Sequence, residues 1–330
     1  MHGTPRLTRL LPLLALVLLG ALLPLFVPQY YLYIGNMLMM YAVLALGLDL
    51  LLGWAGQFAF AHIAFFGVGA YGTVLLQSRL GLPFVVSMPL AALLAGLLGL
   101  LIAFPAARLR AVYLALATFA FAEGAQWLFN AWDTVTGGAD GLRIKAPLLF
   151  GRALGDDLRA FPFIALILAL VVAATMYLTT SRLGRALCAI RDSEHAAAAS
   201  GIDVRMTKVI VFALSACYAG IAGGMLTTFQ SFIHPESFGF AQVVLMLDMG
   251  VQSGQCVFFL LRSGQHIAHF LLRVIGTQRP TQNHADDREN GPYQPVQNGI
   301  LHHFIQIQVS FFLSKGSATH IKYNEFMLFL

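Results

Sequence analysis

The amino-acid sequence predicts an all-α fold, a polytopic bundle of about 7–8 transmembrane helices with a further helix in a cytoplasmic loop. Of the 330 residues, 58% are hydrophobic and only 11% are charged, against roughly 45–50% and about 25% in soluble domains. The mean hydropathy is +0.75, and the chain contains 31 glycines, a residue that is frequent in transmembrane helices. These observations exclude an ordinary soluble domain.

Seven stretches are long enough to cross a bilayer, which takes about 20 mostly apolar residues. Six of them contain no Asp, Glu, Lys or Arg, and the fifth in chain order contains only Glu123. The first is expected to be a retained helix, because no A-x-A cleavage site follows it before Gln29. The seven stretches are 10–28, 30–48, 50–78, 80–107, 111–132, 160–181 and 209–235.

The distribution of basic residues favours a cytoplasmic N-terminus. With alternating spans, the loops on the N-terminal side hold nine Lys and Arg and those on the other side hold five, and cytoplasmic loops carry the excess of Lys and Arg. The same rule accounts for the formal net charge of +5. The charge therefore does not imply a nucleic-acid partner.

The composition divides the chain near residue 250. Residues 1–250 form the expected transmembrane domain, whereas residues 251–330 hold six of the ten histidines and a polar stretch, 277–298, without helical period. Such a composition is typical of disorder, and a frameshift or rearranged gene end would also produce it. Two interpretations of the tail stay open, a metal-binding extension with His266 and His269 or an accidental reading frame.

The remaining motifs do not indicate a metal or nucleotide site. Cys188, Cys217 and Cys256 show no CxxC or metal-ligand spacing, so we expect no disulfide framework and no zinc. Gly67 to Gly72 match GxGxxG, but no strand precedes them. We instead expect these glycines, with Gly53 and Gly56, to allow close helix packing or a helix break. No GxxxxGK[ST] motif occurs, so we expect no ATP site and no cofactor.

Polar groups inside the predicted spans are candidates for lining a translocation path. An Asp in a membrane helix costs about 2.5–3.5 kcal/mol on insertion scales, so such groups mark function by default. The alternative is that they satisfy one another or backbone amides near Gly-rich breaks. The candidates are Asp49, Gln57, His62, Thr118 and Glu123.

The loop 181–206 is expected to be cytoplasmic and to contain a short Ala-rich helix. Gly201 lies near the end of the Ala-rich stretch, where glycine is favoured as a helix C-cap. The order Glu194-x-Ala-Ala-x-x-x-Gly201-Ile resembles the EAA-type loop of ABC importer permeases, a short helix that docks on the ATPase subunit. Other segments resemble blocks of the branched-chain amino acid permease family and occur in the family's order. The resemblance covers roughly 30–246. The resembling segments are 45–57, 61–71, 104–110, 115–118, 136–142 and 234–238.

This resemblance implies a permease subunit of the bacterial inner membrane that performs no bond chemistry. The implied partners are a second homologous permease subunit, two cytoplasmic ABC ATPase subunits, a periplasmic substrate-binding protein and membrane lipid. The residues implied to couple the ATPase to the membrane helices are Arg185, Ala186, Ile190, Arg191, Asp192, Glu194, Ala196, Ala197, Gly201 and Ile202.

The resemblance implies that the substrate is a branched-chain, hydrophobic amino acid. Permeases for urea and short amides resemble the same sequence pattern, so these solutes are the alternative substrate class. An ion-coupled secondary transporter with Asp49, His62 and Glu123 as a relay is a further alternative. The resembled family continues past the position of Met246 with a Gly-rich turn and a further helix, whereas this chain runs into the polar tail. A truncated, inactive form of the permease is therefore another alternative for this chain.

Overall fold

The computed structural model describes residues 20, 24, 28–57, 59–109, 111–144, 148–149, 152–153, 157–239 and 242. The predicted first span, 10–28, therefore lies almost entirely outside the described residues, and the tail 251–330 lies wholly outside them. The described part confirms the all-α class, since long helices dominate it and its strands are two residues long.

The helices follow one another through short connections. In the described part they are α1 (Gln29–Asp49), α2 (His62–Leu80), α3 (Phe84–Ala106), α4 (Ala111–Ala131), α5 (Asp133–Thr136), α6 (Asp157–Thr180), α7 (Arg182–Asp192), α8 (Glu194–Ala199) and α9 (Val204–Phe229). A π-helical turn, Leu50–Trp54, continues α1, and 3₁₀ turns cover Gly138–Asp140 and Pro235–Phe238.

Four short strands form two antiparallel pairs. Strand β1 (Leu142–Arg143) pairs with β4 (Phe232–Ile233), and β2 (Leu148–Leu149) pairs with β3 (Arg152–Ala153). The first pair joins the segment after α5 to the segment after α9.

Five helices of the described part are long and apolar enough to cross a membrane, so the predicted total of 7–8 spans is not confirmed. They are Gln29–Trp54, Phe84–Ala106, Val112–Ala131, Leu158–Thr180 and Val204–Phe229. The predicted span 50–78 is divided. Its first residues form the π-helical turn after α1, and α2 begins only at His62. Helix α2 is about 28 Å long at 1.5 Å per residue, but it is not one of the five. Gln77, Arg79 and its glycines make it less apolar than those helices.

Helix α9 lies at the centre of the bundle and packs against α1, α2 and α3, while α1 also packs against α6. Small residues allow this packing. A Cβ added to Gly69 of α2 would collide with the backbone of Gly220, and one added to Gly223 would collide with the backbone of Phe66 and Ala70. The prediction that the Gly-rich third stretch provides close helix packing is thus confirmed at Gly69.

Contacts between loops sort the helix ends into two groups. At one end, Arg191 of α7 reaches Gly53 after α1, and the Arg205 guanidinium lies 4.5 Å from the ring centroid of Phe104. At the other end, Arg79 donates to the carbonyl of Thr134, and β1 pairs with β4. This grouping agrees with the alternation that the sequence predicts for these loops.

Candidate coupling site

The loop 181–206, which we call the coupling segment, folds into two helices rather than the single Ala-rich helix predicted. Ser181 begins α7, and its hydroxyl accepts a hydrogen bond from the Leu183 amide at 3.2 Å. Ser193 has φ −162° and ψ 114°, an extended conformation that ends α7. Its hydroxyl accepts from the Ala196 amide at 3.3 Å, so the same residue caps α8.

Gly201 ends α8, as the sequence predicts. Its φ is +81°, in the left-handed region that favours glycine. The Ile202 amide donates to the Ala197 carbonyl at 3.1 Å, and the Gly201 amide donates to the Ala198 carbonyl at 3.0 Å. These are the two hydrogen bonds of a Schellman motif. Asp203 then caps α9 by accepting from the Met206 amide at 3.0 Å.

The two short helices bury one face against the bundle. Gly184, Leu187 and Ile190 lie one turn apart on α7 and are buried, as is Ala197 on α8. Leu187 is 1% exposed and Ile190 and Ala197 are each 2% exposed, so the last two hold the coupling segment in place rather than facing outward.

The other predicted coupling residues lie on the outer face or its margin. Ala186 and Ile202 are half-buried. The exposed members of the predicted set are Arg185, Arg191, Asp192, Glu194, Ala196 and Gly201. This face combines both signs of charge with small side chains, a surface that suits contact with another protein.

Two charged side chains tie the coupling segment to the membrane helices. Lys208 of α9 pairs with Glu194, with Nζ 2.6 Å from Oε1. The Nη1 of Arg191 donates to the Gly53 carbonyl at 2.5 Å, across 138 positions of sequence. The sequence does not identify Lys208 or Gly53 as partners, because neither spacing corresponds to a local helical contact.

His62 is buried among α1, α2 and α9. Its Nε2 lies 3.0 Å from the Leu44 carbonyl oxygen, and its Nδ1 lies 3.2 Å from the Ser215 hydroxyl. That hydroxyl donates to the Gly47 carbonyl at 2.8 Å. The three groups satisfy one another inside the bundle, and Ser215 was not identified from the sequence, where it is one serine in an apolar stretch.

Thr118 and Gln57 stabilise the irregular segment between the π-helical turn and α2. The Thr118 hydroxyl accepts from the Phe60 amide at 3.0 Å and donates to the Leu114 carbonyl at 2.8 Å. The backbone amide of Gln57 donates to the Leu51 carbonyl at 2.9 Å. Its buried side chain lines a small cleft, whose other walls are Ala103, Ala106, Ala107, Leu114, Lys208 and Phe212.

The remaining path candidates are Asp49 and Glu123. The Trp54 indole donates a hydrogen bond to the Asp49 carboxylate, which also interacts electrostatically with Arg191. Glu123 is half-buried on α4. Among the described residues no hydrogen bond or ion pair joins Asp49, His62 and Glu123 to one another, so the structure does not assemble them into a relay.

No metal centre is evident in the part of the chain that the structure describes, since no three His, Cys, Asp or Glu side chains there are grouped to hold an ion. The histidines at 266 and 269 lie outside that part.

Comparison with known proteins adds a family. A family model described as "branched-chain amino acid transport system / permease component" matches residues 30–264 of the chain. The chain is 34% identical over 266 residues to the "high-affinity branched-chain amino acid transport system permease protein LivM" of Escherichia coli, and 32% identical to the protein of that name from Salmonella typhimurium. Each match covers 73% of this chain and 63% of the relative, so the chain spans less than two thirds of their length. No solved structure matches significantly.

Proposed function

The chain belongs to the permease family of branched-chain amino acid transport systems, and from that premise we propose that it is the membrane-spanning permease subunit of an ATP-driven importer. The family is one of transport components rather than enzymes. In the proposed complex this chain supplies the path through the membrane, and separate subunits hydrolyse ATP.

The coupling segment carries this proposal. Its inner face is held by Leu187, Ile190 and Ala197, and its outer face is open. Ser181 caps α7 and Ser193 caps α8. The segment therefore has a defined shape on which a partner can push. A protein that docks on the outer face moves the helices to which the inner face is attached.

We place the coupling segment in the cytoplasm with the ATPase subunits. Its end of the bundle carries Arg191, Arg205 and Lys208, and basic residues are in excess in cytoplasmic loops. The opposite end, with the β1–β4 pair, then faces the periplasm and a substrate-binding protein. A second homologous permease subunit completes the path, as proposed from the family resemblance.

The proposed substrates are leucine, isoleucine and valine. The relatives' names specify branched-chain amino acids, and a path with few fixed charges suits neutral amphipathic solutes. Urea and short amides are the competing class. Inhibition of labelled leucine uptake by valine, but not by urea or acetamide, supports the proposal, and the reverse pattern refutes this substrate class.

Charge reversal at the ion pair tests the proposed role of Glu194. We expect Glu194→Lys to reduce uptake at least tenfold while the chain still inserts in the membrane, because an outer-face carboxylate is lost. Lys208→Glu breaks the same 2.6 Å pair from the inner side and is the matched control. The Glu194 side chain is 56% exposed and the Lys208 side chain 13% exposed, so membrane insertion of both variants is measured beside uptake.

The double variant Glu194→Lys/Lys208→Glu separates two explanations. If Glu194 contacts the ATPase, restoring the internal pair does not restore uptake. Full recovery in the double variant would show that Glu194 acts through Lys208 alone. Normal uptake in Glu194→Lys itself would refute its assignment to coupling.

A further inference from the structure

The bond between Arg191 and Gly53 joins the coupling segment to a broken helix end. Helix α1 does not finish as a regular α-helix but passes into the π-helical turn Leu50–Trp54. The following described amides reach back to earlier carbonyls, since Ala55 donates to Leu50 at 3.3 Å and Gln57 donates to Leu51 at 2.9 Å. Neither reaches the Gly53 carbonyl. In the described part of the chain the Arg191 guanidinium donates to this carbonyl, with Nη1 2.5 Å from the oxygen.

An arginine at this position is favourable for two physical reasons. Side chains of Arg and Lys can bond the last carbonyls of a helix, and their charge interacts favourably with the negative end of the helix dipole. Arg191 also acts on the Asp49 carboxylate, which accepts a hydrogen bond from Trp54. Asp49, Trp54 and Arg191 thus surround the π-helical turn, one from its start, one from its end and one from the coupling segment.

The chain beyond the turn changes direction at Gly56, whose φ is +64°. The Cγ of Arg191 lies 3.5 Å from the position that a Cβ on Gly56 would occupy. One side chain therefore bonds the broken helix end and lies beside the residue where the backbone turns toward α2. π-Helical turns within helices are frequent at functional sites.

The position of Arg191 is fixed by its own helix. Ile190, the preceding residue, is 2% exposed, and Leu187 is 1% exposed. Because these side chains anchor α7 in the bundle, the backbone of Arg191 is held beside Gly53, and a movement of the coupling segment carries the guanidinium with it. Gly47, whose carbonyl binds the buried Ser215 hydroxyl, precedes the turn by only three residues. The π-helical turn therefore begins within one helical turn of the group that holds the His62–Ser215 contact.

We propose that Arg191 is a positioning residue that caps the broken end of α1, and that displacement of the coupling segment during transport withdraws this cap and releases the turn Leu50–Trp54. This inference rests on the proposed function. It identifies the element of the membrane domain that receives the motion, and the bond through which it does so.

Hydrogen exchange of residues 50–57 tests the cap without any partner. The full chain in lipid nanodiscs is compared with Arg191→Ala, with Arg191→Lys, and with Arg143→Ala, which removes an exposed arginine of β1 at the other end of the bundle. We expect at least tenfold faster exchange of this segment in Arg191→Ala. Arg191→Lys, which can still donate to the Gly53 carbonyl, should recover most of the protection, and Arg143→Ala should match the unmodified chain. Unchanged exchange in Arg191→Ala would refute the cap.

The assembled transporter tests the second half of the inference. With ATPase subunits bound, we expect uptake per ATP hydrolysed to fall at least tenfold in Arg191→Ala, and Arg191→Lys to restore much of that ratio. Faster exchange with a normal ratio would show that the cap is purely structural and would refute its part in transport. If the ATPase subunits do not bind the chain at all, the proposed function and the transport role fail together, while the exchange data still decide the cap.

Discussion

At the scale of single residues, backbone contact between helices explains why glycine stands at particular positions. Gly69 of α2 faces the backbone of Gly220 of α9, and Gly223 faces the backbone of Phe66 and Ala70. Neither partner is the movable end of a side chain, so neither can yield. In contrast, Gly124 of α4 has open space where its Cβ would lie.

These two environments predict opposite effects of substitution. We expect Gly69→Val to lower the free energy of unfolding by at least about 3 kcal/mol, the upper end of the usual range for overpacked cores. Gly124→Ala should raise it by about 0.5–1 kcal/mol, because alanine loses less conformational entropy in a helix. Thermal unfolding of both variants in the same detergent measures the difference, and equal stability would contradict the packing described here.

The sequence indicates which residues are unusual but not what each one contacts. Polar groups in apolar stretches single out His62 and Thr118, because burying them without a partner is costly. Their partners come from helices distant in sequence, Ser215 for His62 and the Phe60 amide for Thr118. The Phe60 amide belongs to the irregular segment before α2, so Thr118 matches the alternative that polar groups satisfy amides near a helix break, whereas His62 bonds a hydroxyl and a helical carbonyl.

At the scale of elements, apolar length locates most of the long helices, since the predicted stretches overlap α1, α3, α4, α6 and α9. The stretch 50–78 is misleading because apolar length does not show where a helix breaks. The π-helical turn and the segment before α2 bond to Arg191 and Thr118, which come from other helices. The division of the coupling segment at Ser193 is similarly hidden, because the strong helix propensity of the neighbouring alanines favours one continuous helix.

The cap at Ser193 makes a local prediction. Replacing Ser193 with Ala removes the hydroxyl that accepts from the Ala196 amide, and the loss of such a cap costs about 0.5–2 kcal/mol. We expect amide exchange in α8 to accelerate by about tenfold, which corresponds to 1.4 kcal/mol, while α9 is unchanged. Ser200→Ala, in which the lost hydroxyl bonds a carbonyl rather than a free amide, is the matched control. Similar exchange in both variants would contradict the capping role.

At the scale of the whole molecule, the connectivity fixes which loops share an end. The coupling segment lies with the broken end of α1, and the β1–β4 pair lies at the other end with Arg79 and Thr134. The sequence predicts this alternation from apolar length and basic loops alone. It does not predict that α9 is central, because that position follows from close packing against three helices at once.

Accessibility of single cysteines tests the proposed orientation. Cys188 is exposed on the coupling segment, and Arg143→Cys would place a thiol on the exposed edge of β1, each with the other cysteines replaced by Ala. In intact spheroplasts we expect a membrane-impermeant maleimide to label residue 143 at least tenfold more than Cys188. Permeabilised membranes should label both. The opposite pattern in spheroplasts would place the coupling segment outside the cell.

Uptake of labelled leucine by host cells tests the central claim most directly. Cells with the gene deleted are compared with cells carrying the unmodified gene, Glu194→Lys or Tyr177→Phe, which alters an exposed side chain of α6, with and without a protonophore while cellular ATP is maintained. An ATP-driven permease predicts that deletion and Glu194→Lys lower saturable uptake at least tenfold, that Tyr177→Phe does not, and that uptake survives the protonophore. Uptake that requires this chain, is unchanged in Glu194→Lys and collapses with the membrane potential would contradict the account and indicate ion-coupled transport.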